Sequence, residues 1–317
     1  MGNLNNKVAF VFPGQGCQRV GMGKSLAQEY KVARQVFDEV DDTLGFSLSK
    51  LCFYGPQSEL NRTKNAQPAI VATSIAMFKV AKSKGIIPNI VSGHSVGEYS
   101  ALVASGTILL QDAIRLVDIR GRLMEEADPL NKGGMSAVLG LTAQSVTEIC
   151  KKACTAGWVE PANYNSPEQT VISGDKAGLK KAKELCLKKG AKRVIPLRVS
   201  GPFHSRLMTS AKIAFESELE KMNFNAPSIP QVMNVDGKIS ESPLGIRNSL
   251  AKQISGPIMW EDCVKEMWEY GASTFIQLGP GQVLVRLIHE IQPKAKAFPF
   301  DEVSLFHNVL GFNGGGL

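Results

Sequence analysis

Apolar and polar positions along this chain follow two periods. Residues 7–12, Lys7-Val8-Ala9-Phe10-Val11-Phe12, run apolar without a polar face, the pattern of a central parallel strand covered on both sides. Helical spacing follows to about residue 44 and again over 67–83, ending at Lys84-Gly85. Ile90-Val91 reads as the end of a buried strand that breaks into Gly93-His94-Ser95-Val96-Gly97 and leads to a small-residue helix over 96–105. Another helix is predicted over 111–127. From Gly133 the texture changes. A strand at 135–141 and a helix at 143–156 precede strands at 159–163 and 169–173, which are joined by Tyr164-Asn165-Ser166-Pro167. A helix at 175–189 and a strand at 191–199 complete a β-α-β-β-α-β order, the ferredoxin-like pattern. A helix carrying Leu207, Met208, Ala211, Ala214, Phe215, Leu219 and Met222 follows. Strands are expected at 229–235 and 274–278, a helix at 260–270, and a Gly279-Pro280-Gly281 turn into a last helix; residues 312–316 read as a disordered tail.

Strands alternating with helices predict a doubly wound α/β protein. The expected architecture is an α/β-hydrolase-like parallel-sheet core built from 1–130 and 200–317, with 131–199 inserted as a ferredoxin-like subdomain. The 317 residues suit a large core with a smaller lobe. A content of 44% hydrophobic and 21% charged residues is that of an ordinary globular protein. No apolar run approaches the ~18 residues of a membrane span, and the N-terminus lacks a secretory apolar segment. The six cysteines form no C-x-x-C pair, and Cys150 and Cys154 lie one helical turn apart, so reduced thiols and a cytoplasmic location are expected, with no metal site. The net charge of +7 favours acidic partners. It does not specify nucleic acid, because the basic residues are dispersed. The densest cluster, Lys180 to Arg193, is either a solvated face or a docking patch for an acidic protein.

Candidate chemistry starts at Ser95. G-x-S-x-G between a strand and a helix places a nucleophile on a sharp turn, with the helix's free N–H groups aimed at a forming anion. The alternative is a helix capped by Ser95. Pro13-Gly14-Gln15-Gly16 follows the first strand, where α/β folds place ligands; it is a tight turn or it aims the Gln15 N–H at a reacting oxygen. In the 111–127 helix, Ala113, Leu116, Val117, Met124 and Ala127 form an apolar stripe. At about 100° per residue Arg120 falls within that stripe, while Arg115 and Arg122 face away. A guanidinium facing a core needs an anion, either a resident acid or a substrate carboxylate gripped bidentately. Of four histidines, His94 abuts Ser95 and points elsewhere, His289 sits in a terminal helix and His307 near the tail. His204 occupies a strand-end loop, where a general base belongs. No acid stands at a core strand end between Ser95 and His204, so a backbone carbonyl holding the imidazole, a Ser–His dyad, is expected.

The ordered set Phe12-Pro13-Gly14-Gln15-Gly16, Gly93-His94-Ser95-Val96-Gly97-Glu98-Tyr99-Ser100, Arg120-Gly121, Asn163-Tyr164-Asn165-Ser166-Pro167, Gly201-Pro202-Phe203-His204-Ser205 and Gly279-Pro280-Gly281 resembles the malonyl-CoA:acyl-carrier-protein transacylases of fatty-acid synthesis, from about residue 7 to 291. The resemblance implies Ser95 as acyl-accepting nucleophile, His204 as base, and the Gln15 and Val96 N–H groups as oxyanion hole. It implies Arg120 on the malonyl carboxylate, with Phe203, His94 and Asn163 also at the substrate, and the Gln253 carbonyl orienting the histidine. It further implies a ping-pong transfer from malonyl-CoA to an acidic acyl carrier protein by a monomer without a resident cofactor. Hydrolysis by the same serine, or a non-catalytic carrier-binding role, are the alternatives. Cys17, Gln277 and Gly201-Pro202 depart from the commoner residues of that family.

Overall fold

A computed structural model describes residues 7–128, 130 and 132–300. The strands are β1 (Lys7–Phe12), β2 (Ile90–Gly93), β3 (Gly133–Leu139), β4 (Val159–Ser166), β5 (Gln169–Asp175), β6 (Arg193–Pro196), β7 (Gln231–Val232), β8 (Ile239–Ser240), β9 (Ala272–Gln277) and β10 (Lys296–Pro299). Six form a core sheet in the order β10-β9-β1-β2-β7-β8, parallel except for the antiparallel β7–β8 edge pair. β1 lies between β9 and β2, and its alternate residues serve two cores. Phe10 and Phe12 join the large apolar cluster under the Thr63–Ser83 helix, whereas Ala9 and Val11 pack with Trp260, Phe275 and Leu284 on the other face. A strand covered on both faces has no use for polar alternation, which is why its sequence is apolar throughout.

The other four strands pair antiparallel in the order β4-β5-β3-β6, with the Ala143–Ala153 and Lys176–Lys188 helices packed against them. This is the strand order of the ferredoxin-like unit. Val138, Ile149, Ile172 and Ala182 form its own small core. Main-chain bonds join it to the large sheet's side: Tyr164 N–H donates to Ile258 O at 2.9 Å and Ile258 N–H to Ala162 O at 2.8 Å.

Several expected elements differ. β4 continues to Ser166, so the connection to β5 shrinks from residues 164–167 to Pro167-Glu168. The strand expected at 191–199 is only β6, although Leu197 N–H still donates to Met135 O of β3 at 2.9 Å just beyond it. The strand expected at 229–235 reduces to β7. Pro230 lacks a donor, and at Met233 the chain turns back, with Met233 N–H donating to Lys238 O at 2.9 Å and Gly237 N–H to Met233 O at 3.0 Å. The 143–156 helix stops at Ala153, and the one after His204 is a 3₁₀ turn, Arg206–Met208, followed by the Thr209–Leu219 helix. Helices Leu48–Tyr54, Gln57–Leu60 and Pro243–Ser255, and strands β8 and β10, had no sequence expectation. The tail at 312–316 and His307 lie outside the described residues. No helix among the described residues is long and apolar enough to cross a membrane.

The Thr63–Ser83 and Leu110–Glu126 helices cross at a close approach that bears on the site, because Gly121 follows Arg120 there. A Cβ at Gly121 would stand 2.8 Å from Lys64 Cα and 2.9 Å from Thr63 O, both main-chain atoms that cannot swing away. Gly121→Ala is therefore expected to cost about 1–3 kcal/mol, read as a lowered midpoint in thermal or urea unfolding; an unchanged midpoint would contradict this packing.

Candidate active site

The site is built on a bend between β2 and the Gly97–Ala104 helix. Ser95 has φ 52° and His204 φ 57°, the two non-glycine residues with positive φ among those described. Such backbone costs of order 1–3 kcal/mol per residue and persists only where neighbours enforce it. Here they do. Gly93 and Gly97 pack so tightly that a Cβ on the first would sit 2.0 Å from Gly97 C, and one on the second 2.2 Å from Phe12 O. Ser95 N–H donates to Asn234 Oδ1 at 2.8 Å, and Asn234 Nδ2 donates to Gly93 O at 2.7 Å, so one asparagine clasps both sides of the bend. The helix begins after Val96 with no side-chain cap, so the Ser95 hydroxyl is not a capping group.

That hydroxyl faces His204, with Ser95 Oγ 2.7 Å from Nε2. The other ring nitrogen, Nδ1, is 2.8 Å from the Gln253 main-chain oxygen. A carbonyl can only accept, so Nδ1 carries the proton and the Nε2 lone pair is turned to the serine. Burial pushes the His204 pKa down to about 3, and the charge of Arg120 pushes the same way. The ring is thus a neutral proton acceptor aimed at a hydroxyl, with a main-chain oxygen in place of an acid.

Arg120 is 1% exposed. Its Nη1 donates to Gln67 Oε1 at 2.8 Å, and its Nη2 donates to Gln253 Oε1 at 2.8 Å and to Ser95 Oγ at 3.2 Å. The guanidinium also lies over the Tyr99 ring, 5.7 Å from its centre. Among the described residues no carboxylate comes within 4.0 Å of it, and its Nε has no partner. Arg115 and Arg122 pair instead with Asp112 and Asp118 on the outer face of the same helix. Burial lowers the Arg120 pKa. Glu98, also buried, is one amide away: its Oε2 accepts from Gln253 Nε2 at 2.6 Å and its Oε1 from Asn234 N–H at 2.7 Å.

A cleft of about 240 Å³ opens in front of these groups. Ser95, Arg120 and His204 line it from the core; Met135, Ala137 and Val171 line it from the small sheet. Gln15, Phe203, His94 and Asn163 also border it. Gln15 is pinned by its side chain, with Nε2 donating to Thr63 Oγ1 at 3.1 Å, and Thr63 Oγ1 is 2.7 Å from Ser200 Oγ. Val96 stands at the start of the Gly97–Ala104 helix, where a main-chain N–H has no intrahelical acceptor. His94 turns from the serine: its Nε2 is 2.9 Å from Asn165 Oδ1 and its ring meets Trp260 edge-on at 5.6 Å. His289 is in the Val283–Ile291 helix. Sequence reasoning missed Gln67, Asn234 and Glu98. Only Glu98 left a signal, a lone acid at the start of an otherwise apolar, small-residue helix.

Comparison with known proteins follows the same lines. The acyl transferase domain family matches residues 9–299. A malonyl CoA-acyl carrier protein transacylase of Bacillus subtilis strain 168 is 42% identical over 292 residues, 92% of each chain. An acyl carrier protein S-malonyltransferase of Vibrio cholerae, solved as a crystal structure, superposes with a TM-score of 0.91 at 41% identity, covering 94% of this chain and 98% of that one. A malonyl-transacylase solved in complex with its type II PKS acyl-carrier protein gives 0.92 at 41% identity, covering 94% and 97%. With a match this long across sequence and structure, the chain belongs to the acyl transferase family.

Proposed function

We propose that this protein transfers the malonyl group from malonyl-CoA to the phosphopantetheine thiol of an acyl carrier protein through a malonyl-serine. The observation that carries the reading is Arg120, a buried guanidinium 3.2 Å from Ser95 Oγ with no carboxylate in contact among the described residues. An acyl group ending in a carboxylate supplies the missing anion and, held by its tail, brings its thioester carbon to the serine. The names of the relatives agree with that substrate.

His204 Nε2 takes the proton as Ser95 Oγ attacks the thioester carbon. The tetrahedral oxyanion is held by the N–H groups of Gln15 and Val96. The C–S bond breaks, and the CoA thiolate leaves with the proton held by His204. The carrier thiol then gives its proton to the same nitrogen and attacks the malonyl ester. Ser95 recovers its proton as the acyl group departs. Side chains and main-chain amides supply every group these steps use, so no resident cofactor enters. Phe203, Met135 and Val171 form an apolar wall around the acyl group, and His94, held by Asn165, closes it beside the bend. The carrier is acidic in this reading. It meets a monomer whose small lobe exposes Lys183, Lys188, Lys189 and Arg193.

Ser95→Ala is expected to show no malonyl adduct by intact mass after incubation with malonyl-CoA; an adduct would refute the nucleophile. Arg120→Ala should lower malonyl transfer by roughly 10²-fold or more while acetyl transfer changes little, since a lost charge-assisted contact acts only on the acid-tailed substrate. Equal losses would remove Arg120 from substrate selection. The depressed His204 value also fixes a pH response. The imidazole is the active form when neutral, so labelling of Ser95 by an uncharged fluorophosphonate should stay level from pH 8 down to about 5. A fall centred on the ordinary histidine value of about 6.5 would overturn that assignment.

A further inference from the structure

Glu98 takes no part in the transfer, yet it is fully buried in the helix that begins just after Ser95. Its two oxygens face only donors, the Asn234 N–H and the Gln253 Nε2, so both act as acceptors and the ionised carboxylate is the form that fits. Burial opposes this and raises the acid to about 8, even with the Asn234 N–H, the Arg120 charge and the Gln253 amide pulling it down.

Gln253 links that acid to the guanidinium. Its Nε2 faces three oxygens: Glu98 Oε2 at 2.6 Å, Ser95 O at 3.1 Å and Asn234 Oδ1 at 3.3 Å. The amide oxygen is left to accept from Arg120 Nη2. A flipped amide would set an NH₂ against a guanidinium. The main-chain oxygen of the same residue holds His204. Arg120's other holder, Gln67, is again an amide, its nitrogen turned to Met124 Sδ at 3.6 Å. The three acceptors of the guanidinium, two amide oxygens and the Ser95 hydroxyl, are therefore all neutral, and Glu98 reaches it only across an amide. A carboxylate in direct contact would occupy the fork that an acid substrate needs.

We propose that Glu98 is a positioning residue for malonyl selection: it fixes the Gln253 amide, and through that amide holds Arg120 beside Ser95 while leaving the guanidinium open to a substrate carboxylate. The inference rests on the malonyl-transfer reading above.

Glu98→Gln keeps the shape but puts an NH₂ against one of the two N–H donors, so the Gln253 amide loses its anchor. Transfer of malonyl and of acetyl groups from CoA to a carrier protein, as kcat and KM for each, tests the idea. Malonyl kcat/KM should fall about tenfold or more through a raised KM, while acetyl changes by less than about threefold, the scale of one hydrogen bond to a charged group. Gln253→Met, which keeps the main-chain carbonyl on His204, should give the same selective loss. Adding Glu98→Gln to it should change the malonyl-to-acetyl ratio by less than about twofold, because the two act through one path. Equal losses for both acyl groups, or additive losses in the double variant, would overturn the proposal. Should Glu98→Gln fail to fold, Gln253→Met alone decides between selective and equal loss. Wild-type protein that moves no malonyl group sinks the parent reading instead. Wild-type activity with a selective Arg120→Ala and an indifferent Glu98→Gln sinks this inference only.

Discussion

A guanidinium at 1% exposure stays in a protein interior only if its charge and its donors are both answered. Arg120 answers most of its donors with two glutamine oxygens, a serine hydroxyl and an aromatic face, and among the described residues its charge meets no contacting anion. Each answering group comes from a different segment. Gln67 comes from the central helix, Ser95 and Tyr99 from the bend and its helix, and Gln253 from Pro243–Ser255. The large core can be read as the frame that brings these segments to one side chain.

The second constraint is backbone strain. Ser95 and His204 both hold left-handed backbone, and both are fixed by side chains or carbonyls from the region beyond residue 230: Asn234 clasps the bend and Gln253 seats the imidazole. The same Gln253 touches the guanidinium. A shift of the Pro243–Ser255 helix would move the proposed base and the proposed carboxylate-binding group together, which makes that helix part of the site although it carries no reacting atom.

The small sheet completes the cleft from the other side. Its tie to the core runs through main-chain bonds at Ile258 and through Ser166 Oγ donating to Glu290 Oε2 at 2.6 Å, with Arg206 stacked on Trp158 at 3.8 Å. Apolar residues of that sheet, Met135, Ala137 and Val171, then line the cleft opposite the serine.

Local physics made much of this legible before any coordinates. Periodicity located β1, the bend at Ser95, the two long helices near it and the β-α-β-β-α-β order, because burial on one or both faces writes its period into the chain. It also set Arg120 inward, since helical geometry alone determines which positions share a face. The length of β7 depended on Pro230 and on the turn at Met233, and the Pro243–Ser255 helix has too weak an apolar stripe to announce itself. What tertiary structure alone decided is the network. Gln67 and Asn234 are ordinary polar residues in sequence, 167 positions apart, and they acquire meaning only where the fold buries them against Arg120 and Ser95, with Glu98 behind them on Asn234 and Gln253. A chain states which of its faces avoid water; which polar atoms then meet in the space left over is settled by how those faces stack.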